Sequence, residues 1–83
     1  MVEEKVKDII DVLSELKDDT SVPKNIKLKI KGIITTLQDD SELSIRINKV
    51  LNELDDIADD TNMQAYTRTQ IWNIVSMLET VEN

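Results

Sequence analysis

The side chains with any claim to chemistry are carboxylates and amines. Four acidic clusters, Asp18-Asp19, Asp39-Asp40-Ser41-Glu42, Asp55-Asp56 and Asp59-Asp60, offer the hard oxygen ligands that Mg²⁺ or Ca²⁺ prefers. Their spacing points elsewhere. None carries the alternating Asp/Asn series, the glycine and the terminal glutamate of an EF-hand loop. The pairs recur ahead of segments with helical periodicity, where a carboxylate complements the positive end of the helix dipole. Capping and solvation are therefore the expected roles, and no metal site is predicted.

The amines concentrate in one segment. Residues 24–38 carry four lysines and no acid, a charge of +4 set between −4 for residues 1–22 and −6 for residues 39–62. At about 100° per residue Lys24, Lys27 and Lys31 gather on one side with Leu28 among them, while Lys29 flanks the apolar stripe opposite. Such a face is expected to complement the acidic helices beside it or to meet an acidic partner. The alternative is phosphate contact, which would make the chain a nucleic-acid-associated accessory protein whose binding weakens steeply with salt. A net charge of −7 opposes that reading, as does the scarcity of bases' stacking partners: Tyr66 and Trp72 are the only aromatic residues, and both fall in the last helix.

Nucleophilic catalysis has little to work with. There is no cysteine and no histidine, so Ser14, Ser21, Ser41, Ser44 and Ser76 lack the usual base, and a single glycine forms no phosphate-cradling loop. No catalytic residue and no cofactor is predicted, and the chain is expected not to be an enzyme.

The elements that must position these side chains are legible from periodicity and from a repeat. The stretch Asp18-Asp19-Thr20 through Leu37 recurs 41 positions later as Asp59-Asp60-Thr61 through Leu78. Ile30 falls on Ile71, Ile33 on Ile74, Ile34 on Val75 and Leu37 on Leu78, and backwards Val6 meets Ile47, Ile9 meets Val50 and Leu13 meets Leu54. Helix 1 is predicted from about Val2 to Lys17 and helix 2 from Pro23 to Gln38; helix 3 spans Leu43 to Ala58 and helix 4 Met63 to Val81. Ser41 is placed to cap helix 3, and Thr61 with Gln64 has the spacing of a capping box for helix 4. Gly32, alone in mid-helix, is expected to allow close packing on a neighbour.

Short breaks force consecutive helices to run in opposite directions, so the prediction is all-α: a four-helix antiparallel bundle made of two similar helical hairpins, residues 1–41 and 42–83. The 41-residue period lies within the HEAT and armadillo range, but two units are fewer than a solenoid needs, which favours a closed bundle or two hairpins back to back. With 83 residues the single domain buries only about 60% of its extended-chain surface. No apolar run exceeds two residues, so no membrane span is predicted, and a cytoplasmic protein is expected.

The segments Asp18-Asp19-Thr20-Ser21-Val22-Pro23-Lys24-Asn25-Ile26 and Ala65-Tyr66-Thr67-Arg68-Thr69-Gln70-Ile71-Trp72 resemble a small uncharacterised family of archaeal proteins. The resemblance covers nearly the whole chain and implies a short, four-helix, cytosolic protein. The chain departs from the family's pattern at Gln64, where relatives carry proline, which puts the start of helix 4 in question. The family has no agreed activity, so no site residue is carried over.

Helix 4 is the most apolar around its circumference. Trp72 sits on one edge of its stripe and Tyr66 with Met77 on the other, implying either the most buried helix or an added contact surface. The expected function is a protein-interaction module using Tyr66, Trp72, Leu28, Lys24, Lys27 and Lys31. Its partner would be another protein or a second copy of the chain, with nucleic acid as the alternative.

Overall fold

Apolar residues at spacings of three and four, interleaved with charges, form four α-helices: α1 (Val2–Asp18), α2 (Lys24–Leu37), α3 (Leu43–Ala58) and α4 (Ala65–Val81). They are defined by a computed structural model that describes residues 2–60 and 62–81. Two expectations lie outside the described residues and side chains: the capping box of Thr61 with Gln64, and Val2 on the stripe of the first helix. Among the described residues there is no strand.

Connections of five, five and six residues turn each helix back along its predecessor. α1 packs on α2 and α4, α3 packs on the same two helices, and neither diagonal pair meets. The helices thus close a ring. In a solenoid, corresponding helices of successive hairpins would lie side by side; here α2 lies on α3 and α1 on α4, so the hairpins sit back to back. The body measures 33 × 19 × 18 Å, a little longer than the about 25 Å of a 17-residue helix.

The core is built mainly of Ile, Leu and Val. Ile9, Leu13, Ile26, Ile30, Ile33, Val50, Leu54, Ile57, Ile71, Ile74 and Leu78 are closed to solvent. Each such side chain contributes about 1.5–3 kcal/mol relative to exposure. Positions 41 apart share this burial, Ile30 with Ile71 and Leu13 with Leu54 for example, and so do two loop residues, Val22 and Met63. Position 67 differs in kind. Where Ile26 stands in the first hairpin the second has Thr67, fully buried, its Oγ1 without a hydrogen-bond partner. An unpaired buried hydroxyl costs about 1–3 kcal/mol. Thr67→Val should therefore stabilise the domain by about 1–2 kcal/mol in urea unfolding; an unchanged midpoint would mean that water serves the hydroxyl.

Gly32 departs from expectation. A Cβ placed on it meets no atom within 4 Å, so close packing is not what the glycine serves. It faces a groove of about 260 Å³ between α2 and α3, lined also by Lys29, Glu53 and Asp56. Gly32→Ala should raise stability by about 0.4–1 kcal/mol, because it restricts the unfolded chain without a clash. A loss of stability would show that α3 approaches more closely than this.

Candidate functional site

Three of the acidic clusters organise loops, and the fourth, Asp55-Asp56, lies in the last turn of α3. Pro23 and Glu42 occupy the N-cap positions of α2 and α3, and neither makes a side-chain cap bond. Ser41, expected to cap α3, instead donates from Oγ to Asp39 Oδ2 at 2.8 Å. Asp19 Oδ1 accepts from the backbone N–H and the hydroxyl of Ser21 at 2.9 and 2.7 Å, and Asp60 Oδ1 accepts from the N–H of Asn62 at 2.9 Å. These are turns closed by an aspartate two residues back, a conformation short acidic side chains favour over the cap when the chain must reverse. Among the described residues no three acids converge to hold a metal ion.

The same bonds set the acid response. The N–H and hydroxyl of Ser21, with Lys27 adding a smaller pull, hold the Asp19 carboxyl below its ordinary range; Ser41 and the Asp40 N–H do the same for Asp39, helped by Lys49 and Arg46. A carboxyl depressed in the folded state favours folding above the unfolded value and loses that contribution as pH falls through the folded one. The melting temperature should thus drop on acidification below about pH 4. Replacing both aspartates with asparagine should make the drop shallower; an unchanged slope would show that neither bond stabilises the fold.

Two of the four lysines face acids within the ring. Lys27 acts on Asp19 beyond the end of α1, and Lys29 shares the α2/α3 groove with Glu53 and Asp56. Lys24 and Lys31 stay exposed on the outer side of α2 around Leu28, which is 63% exposed. The acids near this helix thus stand in the loop before it and on α3.

Among the described residues α4 holds more buried positions than any other helix, yet its aromatic residues stand outside them at the surface. Trp72 is 47% and Tyr66 60% exposed, while Met77 lies partly buried against the core. They occupy opposite edges of the outer face of α4. Arg68, one turn before Trp72 on the same side, donates to Ala58 O at the end of α3 and to Asp60 O in the loop that follows, so this edge of α4 is the one turned toward α3. Tyr66 points the other way, toward the α1 side, in the row that leads to Met77. Since α2 and α4 are diagonal in the ring, the Leu28–lysine face lies on the far side from Trp72. The six residues named as contacts thus fall on three separate parts of the surface.

Two arginines that periodicity does not single out tie the helices together. Arg46 of α3 donates from Nη1 to Leu37 O at 2.7 Å, closing the end of α2, while its buried Nε has no partner. Arg68 of α4 donates from Nε to Ala58 O at 3.2 Å and from Nη2 to Asp60 O at 2.9 Å, closing the end of α3. Each satisfies carbonyls that a helix end leaves open, and each brings a cation to the negative end of the dipole. Arg46 also walls a groove of about 660 Å³ at the start of α1, floored by Val6, Ile10 and Leu43 and rimmed by Glu3, Lys7, Asp11 and Gln38. Its lining as a whole carries two acids and, counting Arg46, two bases.

The fold and these surfaces define a small all-helical domain whose conspicuous chemistry is at its surface. Among the described residues no helix is long and apolar enough to cross a membrane. A model of the uncharacterised protein family UPF0147 matches residues 1–81, and the chain belongs to that family. It is 43% identical over 82 residues to a UPF0147 protein of Sulfurisphaera tokodaii, spanning 98% of this chain and 92% of that one. A UPF0147 protein of Methanosarcina mazei is 38% identical over 79 residues, spanning 94% and 85%.

Two crystal structures share the fold. One, of the unknown-function protein MMP1188, superposes with a TM-score of 0.92 at 43% identity, covering 98% of this chain and 93% of that one. The other, a UPF0147 protein of Thermoplasma acidophilum, gives 0.89 at 32% identity, covering 95% and 94%. The resemblance to an uncharacterised archaeal family is thereby established, and the function of that family is unknown.

Proposed function

We propose that this domain binds another protein and catalyses nothing, with Trp72 as its principal contact. The observation that carries the proposal is the placement of Trp72, half exposed on the α3 side of α4 in a domain whose core contains no aromatic side chain. Tryptophan on a rigid helix offers a large apolar area with few rotamers to freeze, which is why it dominates binding energies at interfaces. The proposal takes the chain as a cytoplasmic protein, in keeping with its acidic, charge-rich composition. A nucleic-acid role has little support, since the lysine face of α2 carries no aromatic side chain and the chain has a net charge of −7.

The test is capture from nuclease-treated native lysate at low salt on immobilised wild type, Trp72→Ala and the triple Lys24/Lys27/Lys31→Glu variant. Proteins held by the wild type and the triple variant but lost by Trp72→Ala are the expected result. Proteins lost with the triple variant and kept by Trp72→Ala would overturn it.

A further inference from the structure

The net charge of the chain is confined to one half. Residues 1–38 contain seven acids and seven bases, whereas residues 39–83 contain ten acids and three bases. Between Lys49 and Arg68 there are five acids, Glu53, Asp55, Asp56, Asp59 and Asp60, and no base. Arg68, whose guanidinium bonds the carbonyls of Ala58 and Asp60, brings one positive charge to the end of this stretch and leaves the acids in excess.

These acids divide by side of helix. Glu53 and Asp56 line the groove with Lys29, so that side of α3 faces α2. Asp55 stands one turn after Leu51 and one before the buried Ala58, the row opposite that groove, and therefore on the α4 side. Asp59, one turn beyond Asp55, is exposed at the end of the same row. Trp72 stands across the α3/α4 seam, on the edge of α4 turned toward α3, by the reach of Arg68 just before it on the same face. The α3 and α4 edges turned toward each other thus carry a half-exposed indole, two exposed carboxylates and, as the facing base, Arg68.

We infer that this seam is a docking surface for a basic amphipathic segment of a partner protein, an inference that rests on the reading of Trp72 given above. The partner's arginine or lysine stacks on the indole face and pairs with Asp55 and Asp59, while its apolar side chains cover the rest of the ring. A second copy of the chain, which would have to offer its Lys24–Leu28–Lys31 face, is a poorer occupant because the acidic half of that copy, ten acids to three bases, repels the same surface.

The test uses three tryptophan-free amphipathic peptides of about 14 residues, with leucine on one face and arginine, glutamine or glutamate on the other. Each is titrated into the ¹⁵N-labelled chain, the Trp72 indole N–H being the single reporter of its kind. The expected result is that the Leu/Arg peptide shifts the indole and the Asp55 and Asp59 amides, and the Leu/Glu peptide shifts none. Binding should weaken about tenfold or more with Trp72→Ala and about threefold or more with Asp55→Asn/Asp59→Asn.

Equal binding of all three peptides at Trp72, unaffected by the double variant, would overturn the basic partner and leave Trp72 docking standing. Leu/Arg binding that Trp72→Ala does not weaken would overturn both. Absence of Leu/Arg binding, or an indole shift that depends on protein concentration before any peptide is added, would overturn the basic partner, the latter in favour of a second copy.

Discussion

Replacing Arg68 with methionine is expected to lower the stability of the domain by about 2–3 kcal/mol. The aliphatic stem survives in methionine, so packing along α4 is largely kept and the loss reports the guanidinium. Two hydrogen bonds from one charged group, to Ala58 O and Asp60 O, close the end of α3 and fix the turn that launches α4. Hydrogen bonds to charged groups contribute about 1.5–3 kcal/mol each, and the partial exposure of this one pulls the pair toward the lower end. Arg68→Lys should recover only part of the loss, because an ammonium does not reproduce the planar fork that spans two carbonyls. Urea unfolding gives the answer, and a change below about 0.5 kcal/mol would mean that water replaces the guanidinium without cost.

The second large effect separates core from surface on adjacent residues. Ile71→Ala should cost about 3 kcal/mol, within the range for emptying a closed aliphatic site, since Ile71 has no exposure. Trp72→Ala removes a larger side chain yet should cost only about 1 kcal/mol, because solvent fills the space left by a half-exposed ring and no cavity forms. A Trp72 cost equal to or above that of Ile71 would place the indole in the core and remove the basis for a docking role.

Much of the architecture was readable because helices obey a single period. α3 spans the predicted Leu43 to Ala58, and Leu28 and Ile45, off their stripes in sequence, are exposed. The start of α4 was not readable. Periodicity extends from Met63, but Asp60 bonds the Asn62 N–H and holds a turn there, so the helix begins at Ala65 while Met63 is buried from the loop. Val22 does the same in the first hairpin. A helical pattern has no means of assigning a core residue that lies between helices.

The surfaces were harder still. Sequence places a residue on a face of its own helix, but only the ring of contacts reveals that α2 and α4 are diagonal and that Leu28 and Trp72 therefore face apart. The two arginines act on the preceding helix across a loop, which no local rule anticipates. A signal did exist: bases recur at matching positions, Lys5 with Arg46 and Lys27 with Arg68. The glycine misled because a mid-helix glycine more often marks a close crossing than an open groove.

The central claim is that Trp72 stands free at the surface of the folded chain, available to a partner. The most direct measurement is the fluorescence of this single tryptophan in the dilute folded protein, recorded as emission maximum and acrylamide quenching before and after unfolding in urea. A red-shifted emission that acrylamide quenches readily in the folded state, changing little on unfolding, is the predicted result. A blue-shifted emission protected from acrylamide until the domain unfolds, and independent of protein concentration, would contradict it.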